Sequence, residues 1–259
     1  MTDSFIALAK SIAPFKLACI DEAHCVSEWA HNFRPSYLRL KSILHGALRI
    51  RTILALTATA TRAMEKDIIA SLGIPHDGVI RAGLLRPNLH LSVSTESERQ
   101  LALLNLLTCD PRFKSGSIIV YCSLRAQCQT LAQYLSTHSV QADYYHAGRS
   151  ARDRQRIQTR FMRGNLRVVV ATVAFGMGID KQDVRGVVHY NCATSMEAYV
   201  QEVGRAGRDG CDAYCHLFFD DADLARLRNY AQAEGVDARN VAKLVETVAY
   251  VYIVIYIHI

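Results

Sequence analysis

The sequence predicts an α/β protein in which parallel strands alternate with helices. Short apolar runs typical of buried strands are separated by longer segments of helical character, and polar motifs follow the ends of several of these runs. Strict alternation of strand and helix implies parallel strands joined by crossover helices, and ligands then bind at the carboxyl ends of the strands. We therefore expect the functional residues at those ends.

The first part of the chain contains two predicted strands, at 17–20 and 52–56, and each is followed at once by polar residues. The pattern breaks at 83–88, where glycine and proline indicate a hinge, and a new strand is predicted at 89–93. The sequence therefore predicts a first domain at 1–85 and a second at 86–220.

The second part repeats the strand and helix rhythm. Strands are predicted at 117–121, 142–145, 166–171 and 186–190, and helices at 127–137 and 150–162. Beyond Asp220 the remainder, 221–259, is polar and helical until an apolar tail at 248–259. This tail is about half as long as a bilayer span requires and has the profile of an aggregation-prone strand, so we expect no membrane insertion and assign it no function.

Composition is that of a globular protein, with 50% hydrophobic and 21% charged residues, and the net charge of +6 permits binding to a phosphate backbone. Eight scattered cysteines favour a reducing compartment. Cys211, Cys215 and His216 look like metal ligands, but a zinc site needs a second pair of ligands at suitable spacing. We therefore expect no zinc.

Two carboxylates, Asp21 and Glu22, follow directly on the first predicted strand. An NTPase needs such a pair, because one carboxylate holds Mg²⁺ while its neighbour orients or deprotonates the attacking water. A solvated acidic turn explains the same pattern equally well when the pair is taken alone.

Aromatic and basic residues are interleaved in the segment that follows, with Trp29, Phe33 and Arg34 at its centre. Bases stack on aromatic rings and cations hold phosphates, so the segment is typical of a single-strand contact. The alternative is a surface loop that packs its rings on the core.

A series of motifs spans residues 17–220 in a fixed order. They are DEAH at 21–24, CVSEW at 25–29, HNFRP at 31–35, LTATAT at 56–61, YHAG at 145–148, ATVAFGMGID at 171–180 and QEVGRAGRDG at 201–210. This set resembles the RecQ DNA helicases of superfamily two, and NLHLSVS at 88–94 resembles the branch that contains the Rothmund–Thomson syndrome helicase. The resemblance implies a RecA-like P-loop NTPase fold in two lobes.

The resemblance also implies an ATP- and Mg²⁺-dependent enzyme that unwinds duplex DNA three-prime to five-prime in repair, recombination and replication. Its partners would be single-stranded and forked DNA, and its location the nucleus, or otherwise the cytoplasm. Implied nucleotide-site roles are Mg²⁺ binding by Asp21, general base catalysis by Glu22, and nucleotide contacts by Gly178, Asp180, Gln201, Arg205 and Arg208. Implied coupling and DNA-binding residues are His24, Thr57, Thr59, Trp29, Phe33, Arg34, His146 and Thr172.

The last motif also has a geometric interpretation. Thr194 and Glu197 form a capping box, and on the helix that they open Gln201, Arg205 and Arg208 would share one face. Glycines at 204 and 207 are costly inside a helix, which indicates close approach to a ligand or a neighbouring domain. By resemblance, Arg208 is the arginine that reaches the γ-phosphate and Arg205 is its partner. Glycines at 176 and 178 likewise suit a tight loop against nucleotide or DNA.

One expected feature is missing from the sequence: it contains no glycine-rich loop ending in lysine and serine or threonine. We therefore expect an incomplete first lobe and no hydrolysis by this chain alone, which leaves a non-catalytic DNA-binding or regulatory protein as the alternative. An RNA helicase of the same superfamily is disfavoured, because Cys25 and Val26 follow the DEAH box where acidic and basic residues are typical.

Overall fold

The computed structural model describes residues 3–12, 14–27, 37, 39–81, 86–176, 179–223 and 225–227. The chain forms two compact units, Met1–Leu84 and Leu85–Ile259, called here the first and second units. The predicted hinge at 83–88 lies partly outside the described residues, and the apolar tail at 248–259 lies wholly outside them. No helix in the described ranges is long and apolar enough to cross a membrane.

The first unit is built on two parallel strands, β1 (Leu17–Ile20) and β2 (Thr52–Ala55), paired in register from Leu17 with Thr52 to Ile20 with Ala55. Helices α1 (Asp3–Ile12) and α2 (Arg62–Leu72) accompany them, with a 3-10 turn at Ala23–Val26, a π-helical segment at Ser42–Ala47 and a 3-10 turn at His76–Gly78. Thr61 caps α2, because its hydroxyl accepts a hydrogen bond from the backbone N–H of Met64 at 3.3 Å.

The second unit contains a six-stranded parallel sheet in the order β3-β8-β7-β4-β6-β5. Its strands are β3 (Leu89–Ser94), β4 (Ser117–Tyr121), β5 (Ala142–Tyr145), β6 (Val168–Ala171), β7 (Val184–His189) and β8 (Ala213–Phe218). Its helices are α3 (Arg99–Thr108), α4 (Arg125–Thr137), α5 (Ala151–Met162) and α6 (Met196–Val203). Helical turns follow at 221–223 and 225–227.

The helices cover both faces of this sheet. Alternate residues of the central strands point to opposite sides: Ile119 and Val169 pack with α5 residues Ile157 and Phe161. Their neighbours Ile118, Val120, Val168 and Val170 pack on the other side with leucines of α3 and α4. A parallel sheet buried on both faces needs continuously apolar strands, and β4 and β6 are buried along their whole length. The predicted α/β architecture with parallel strands is confirmed.

Candidate functional site

The two carboxylates of the first unit lie at the carboxyl end of β1. Asp21 and Glu22 are both exposed, and an oxygen of Asp21 accepts a hydrogen bond from the Glu22 backbone N–H at 2.9 Å. Glu22 has a left-handed backbone conformation with a φ of 50°, which is uncommon for a residue with a side chain and occurs often at functional turns. The turn therefore presents two adjacent carboxylates to solvent.

A series of polar contacts leads from Glu22 into the protein. The buried His24 ring places Nδ1 at 3.3 Å from Glu22 Oε2 and at 3.1 Å from Thr57 Oγ1, and the Thr57 hydroxyl donates to the Thr59 carbonyl at 3.1 Å. The residues after β1 are thus joined to those after β2. Of the threonines in 57–61, Thr61 caps α2, whereas Thr57 contacts His24.

The 3-10 turn at Ala23–Val26, which includes the last two DEAH residues, is joined to α2 through the residue after it. The Ser27 hydroxyl donates to an oxygen of Asp67 at 2.7 Å. The aromatic and basic segment begins beyond this anchor. Trp29, Phe33 and Arg34 lie outside the described residues.

The donor set after β1 fits Mg²⁺ bound together with ATP. Mg²⁺ prefers oxygen ligands, keeps several waters and is commonly held by one or two carboxylates plus substrate phosphates. Asp21 supplies an exposed carboxylate of the kind that Mg²⁺ binds beside phosphate and water.

The helix that carries Gln201 is shorter than predicted. Its N-cap is Ser195, whose hydroxyl accepts from the Ala198 backbone N–H at 3.1 Å, so the assignment of the cap to Thr194 was wrong. The helix ends at Val203, and Arg205 and Arg208 lie in the turns that follow. The single helical face predicted for Gln201, Arg205 and Arg208 was therefore also wrong.

The glycines of this motif approach parts of their own unit. A Cβ at Gly204 would lie 2.9 Å from the Val200 carbonyl oxygen, and one at Gly207 would lie 2.6 Å from Asn88 Nδ2 and 2.8 Å from the Cys211 carbonyl oxygen. Gly207 also has a φ of 55°, which favours glycine. Gly204 and Gly207 thus closely approach residues of their own unit, and an approach to a ligand or a neighbouring domain stays a prediction.

Arg205 is packed on the loop that follows β6. Its Nη1 donates to the Gly176 carbonyl at 2.5 Å, and a Cβ at Gly176 would lie 2.4 Å from Arg205 Nη2. The neighbouring Phe175 carbonyl accepts from the Tyr121 hydroxyl at 2.9 Å. Gly176 therefore makes room for an arginine, and a contact of this loop with nucleotide or DNA stays a prediction. Gly178 lies outside the described residues.

Arg208 reaches further towards solvent. Its Nη1 lies 2.9 Å from an oxygen of Asp180 and donates to the Ile179 carbonyl at 3.1 Å. About a third of the Arg208 side chain and three quarters of the Asp180 side chain are exposed, so this ion pair can exchange partners with a ligand. Gln201 is half-buried on α6.

A buried hydrogen-bonded pair under this motif was missed by the sequence analysis. His189 Nε2, at the end of β7, lies 2.7 Å from Glu202 Oε2 on α6, and both side chains are more than nine-tenths buried. The Tyr121 and Tyr199 rings flank His189 at 5.6 and 4.9 Å between centroids, and burial raises the pKa of both phenols. Glu202 stands next to Gln201 in sequence, but no spacing in the sequence indicates that its partner is His189.

The two predicted DNA-binding residues of the second unit follow adjacent strands. His146 follows Tyr145 of β5, Thr172 follows Ala171 of β6, and Tyr145 and Ala171 are paired. Burial, followed by the charges of Arg125 and Arg149, lowers the pKa of His146, while its Nδ1 accepts from the Gly148 backbone N–H at 3.1 Å. This edge of the sheet therefore carries Arg125 and Arg149, of which Arg149 is paired with Asp143 at 3.0 Å.

The metal-like residues near β8 have other neighbours. His216 lies between two serine hydroxyls, with Nδ1 at 2.9 Å from Ser92 Oγ and Nε2 at 3.1 Å from Ser94 Oγ. Burial lowers its pKa to about 4 and raises that of Cys215 to about 12. Cys211 is exposed.

Comparisons with known proteins agree with these features. The family model described as "Helicase conserved C-terminal domain" matches residues 99–210, all in the second unit. A yeast Dbp5 structure, described as bound to RNA and ADP BeF3, superposes with a TM-score of 0.66 at 19% identity, covering 89% of this chain and 63% of that chain. This likeness shows the fold, which is RecA-like.

The relatives found by sequence share more identical residues with this chain than the Dbp5 structure does. The chain is 47% identical to Arabidopsis thaliana "ATP-dependent DNA helicase Q-like 5" over 92% of its length, and 45% identical to human "ATP-dependent DNA helicase Q4" over 93%. It is 41% identical to "ATP-dependent DNA helicase RecQ" of Pasteurella multocida over 88%. It covers 26%, 21% and 35% of those proteins, respectively, and thus spans about a fifth to a third of their lengths. With the ordered motifs and the RecA-like sheet, these relatives support a RecQ-type helicase of superfamily two.

Proposed function

We propose that the protein acts as an ATP-dependent DNA helicase of the RecQ type, which couples ATP hydrolysis to three-prime to five-prime unwinding of duplex DNA. The observation that carries the proposal is the contact of the buried His24 Nδ1 with both Glu22 and Thr57, beside the exposed Asp21. An acidic turn that was merely solvated would not require a buried histidine linked to a second strand end. The three relatives reported above are called ATP-dependent DNA helicases, which supports the same activity.

The roles proposed at the first unit follow from its charges. Asp21 would hold Mg²⁺, which neutralises phosphate charge when bound. Glu22 orients the attacking water and accepts its proton, and its contact with His24 keeps the carboxylate directed. Thr57 and Thr59, which follow β2, transmit a change in the position of the His24 ring to the backbone at this end of the strand. Trp29, Phe33 and Arg34 would sense single-stranded DNA by stacking and phosphate contacts.

In the second unit, Arg208 would supply positive charge to the γ-phosphate as negative charge develops there. Its exposure and its exchangeable partner Asp180 support this role. Arg205 is proposed as its positioning partner through the Gly176 carbonyl, and Gln201, Asp180 and Gly178 as further nucleotide contacts. His146 and Thr172 would bind the DNA backbone. Forked DNA as the substrate, roles in repair, recombination and replication, and nuclear location are part of the same proposal.

ATP hydrolysis tests the proposal, measured on a purified protein in which this chain is completed by a phosphate-binding loop. We expect hydrolysis to be stimulated by single-stranded DNA more than by RNA of equal length at one salt concentration, and a duplex with a three-prime tail to be unwound in preference to one with a five-prime tail. DNA binding without any hydrolysis would instead identify a non-catalytic DNA-binding or regulatory protein. Stronger stimulation by RNA would overturn the choice of nucleic acid.

A further inference from the structure

Helix α5 carries an unusual concentration of positive charge. Between 149 and 163 the chain has six arginines and a single acidic residue, Asp153, so these 15 residues have a net charge of +5. The whole protein has a formal net charge of +6, which leaves +1 for the other 244 residues. The basic character of the protein is therefore a local property of this segment.

The charges are arranged along one face. Arg152, Arg156, Arg160 and Arg163 follow one another at helical spacing, with Gln155 and Thr159 between them, and all six residues are exposed. The opposite face holds Ile157 and Phe161, which are fully buried against the sheet. We call the exposed set Arg152, Gln155, Arg156, Thr159, Arg160 and Arg163 the arginine stripe.

Little of this charge is neutralised by the protein. Arg156 lies 3.4 Å from Asp153 with 60% of its side chain exposed, and Arg160 lies 3.2 Å from Asp143 with 44% exposed. Neither Arg152 nor Arg163 forms an ion pair with any residue of the described ranges. Exposed pairs of this kind contribute little to stability, so a folding role does not account for four arginines in one row.

The stripe continues the candidate DNA-binding edge. α5 connects the parallel strands β5 and β6, so it runs antiparallel to them and begins at the carboxyl end of the sheet, where His146, Thr172 and Arg149 lie. From Arg152 to Arg163 the helix then descends about 16 Å along the side of the unit. A polyanion bound at the edge would meet the stripe as it passes down that side.

The residue types of the stripe decide which polyanion fits. Proteins that hold single strands combine cations with aromatic platforms for the bases, and the stripe contains no aromatic side chain. Arginine, glutamine and threonine side chains are typical phosphate-contacting groups on duplex DNA, where the bases are stacked out of reach. We infer that the arginine stripe of α5 binds the phosphate backbone of duplex DNA, as a surface additional to the single-strand contacts. This inference rests on the proposed function and adds the duplex part of the DNA substrate to the single-stranded part.

Two triple variants that replace positively charged residues with uncharged glutamine test the inference. The triple variant Arg152→Gln, Arg156→Gln, Arg163→Gln removes three charges and keeps residues that favour helix. The matched control Arg62→Gln, Lys66→Gln, Lys114→Gln removes three exposed charges elsewhere. Binding would be measured without ATP, by fluorescence anisotropy, to a blunt duplex of about 20 base pairs and to a single strand of equal length, at about 50 and 200 mM salt.

We expect the stripe variant to lose roughly tenfold in duplex affinity at low salt, and its salt dependence to become shallower by about two to three counterions. Its affinity for the single strand and its DNA-stimulated hydrolysis should change less than twofold, as should both affinities of the control. Equal losses on both DNAs, equal losses in the control, or no loss on the duplex would overturn the inference. Failure of the unaltered protein to bind either DNA would overturn the proposed function as well, whereas single-strand binding with an ineffective stripe would sink the inference alone.

Discussion

The residues after β1 and the residues after α6 carry the two halves of the candidate chemistry in different ways. Asp21 and Glu22 are exposed and touch few partners, whereas the 201–210 segment is fixed by Asn88, Gly176 and the buried pair of His189 and Glu202. An exposed carboxylate can be altered without cost to folding. A segment built into a core responds to substitution first through stability, so loss of activity there is ambiguous unless stability is measured beside it.

The sharpest test of this contrast is Glu22→Gln, which keeps the shape of the side chain and removes the base. We expect DNA-stimulated ATP hydrolysis to fall roughly a thousandfold, in the range for loss of a general base, while the urea midpoint stays unchanged. Steady-state kinetics beside urea unfolding would check it. A large drop in the midpoint would show that Glu22 belongs with the structural residues instead.

The second unit should show the opposite behaviour at Glu202. Glu202→Ala leaves His189 buried without its partner, so we expect a loss of about 3 kcal/mol in the free energy of unfolding. Glu197→Ala, in the first turn of the same helix, is the control and should cost less than about 1 kcal/mol. An equal loss in the free energy of unfolding for the two variants would mean that the pair of His189 and Glu202 does not stabilise the fold more than an ordinary surface residue.

Buried polar groups of the second unit should also make its stability depend on pH. The pKa of His216 is about 4 in the folded protein against an ordinary 6.5, so the unfolded chain takes up a proton first as pH falls. Stability is therefore complete above pH 6.5 and declines towards pH 4, by about 2 kcal/mol between pH 6.5 and 5.

Urea unfolding at pH 7 and pH 5 measures this effect. His216→Gln should show a smaller difference between the two pH values than the unaltered protein, and the exposed His138→Gln should leave the difference unchanged. A His216 variant with an undiminished pH dependence would assign the titration to other groups.

A smaller effect separates backbone conformation from packing at the glycines of 201–210. Gly207→Ala meets Asn88 and the Cys211 carbonyl, so we expect a cost of about 2 kcal/mol. Gly210→Ala has the same left-handed backbone, with a φ of 82°, but open space around the new Cβ, and should cost about 1 kcal/mol. Should the two variants prove equally stable, the close approach at Gly207 is not a constraint.

The sequence predicted the sheet better than it predicted the contacts of the site. Strands β4 and β6 were found because continuous apolar runs are the mark of parallel strands buried on both faces. Strand β8 was missed, because its Tyr214, Cys215 and His216 give no clear apolar run, although the structure buries most of the strand.

The end of α6 shows where prediction from local pattern fails. Both Thr194 and Ser195 are good caps, and only the position of the helix in the unit selects Ser195. The partners of the two arginines, Gly176 and Asp180, lie 29 and 28 residues away, so a helical spacing rule could not reach them. Fold class depends on patterns that repeat along the chain, whereas these contacts depend on distant loops meeting once.

The pairing of β3 with β8 has a consequence for how the protein is made. The strand that starts the second unit has β8 as its neighbour in the sheet, and Leu89 pairs with Ala213. During synthesis on the ribosome, β3 therefore cannot pair with β8 until β8 has emerged, more than a hundred residues later. Until then its edge stays open to other chains, which makes the interval of synthesis the time of greatest risk for aggregation.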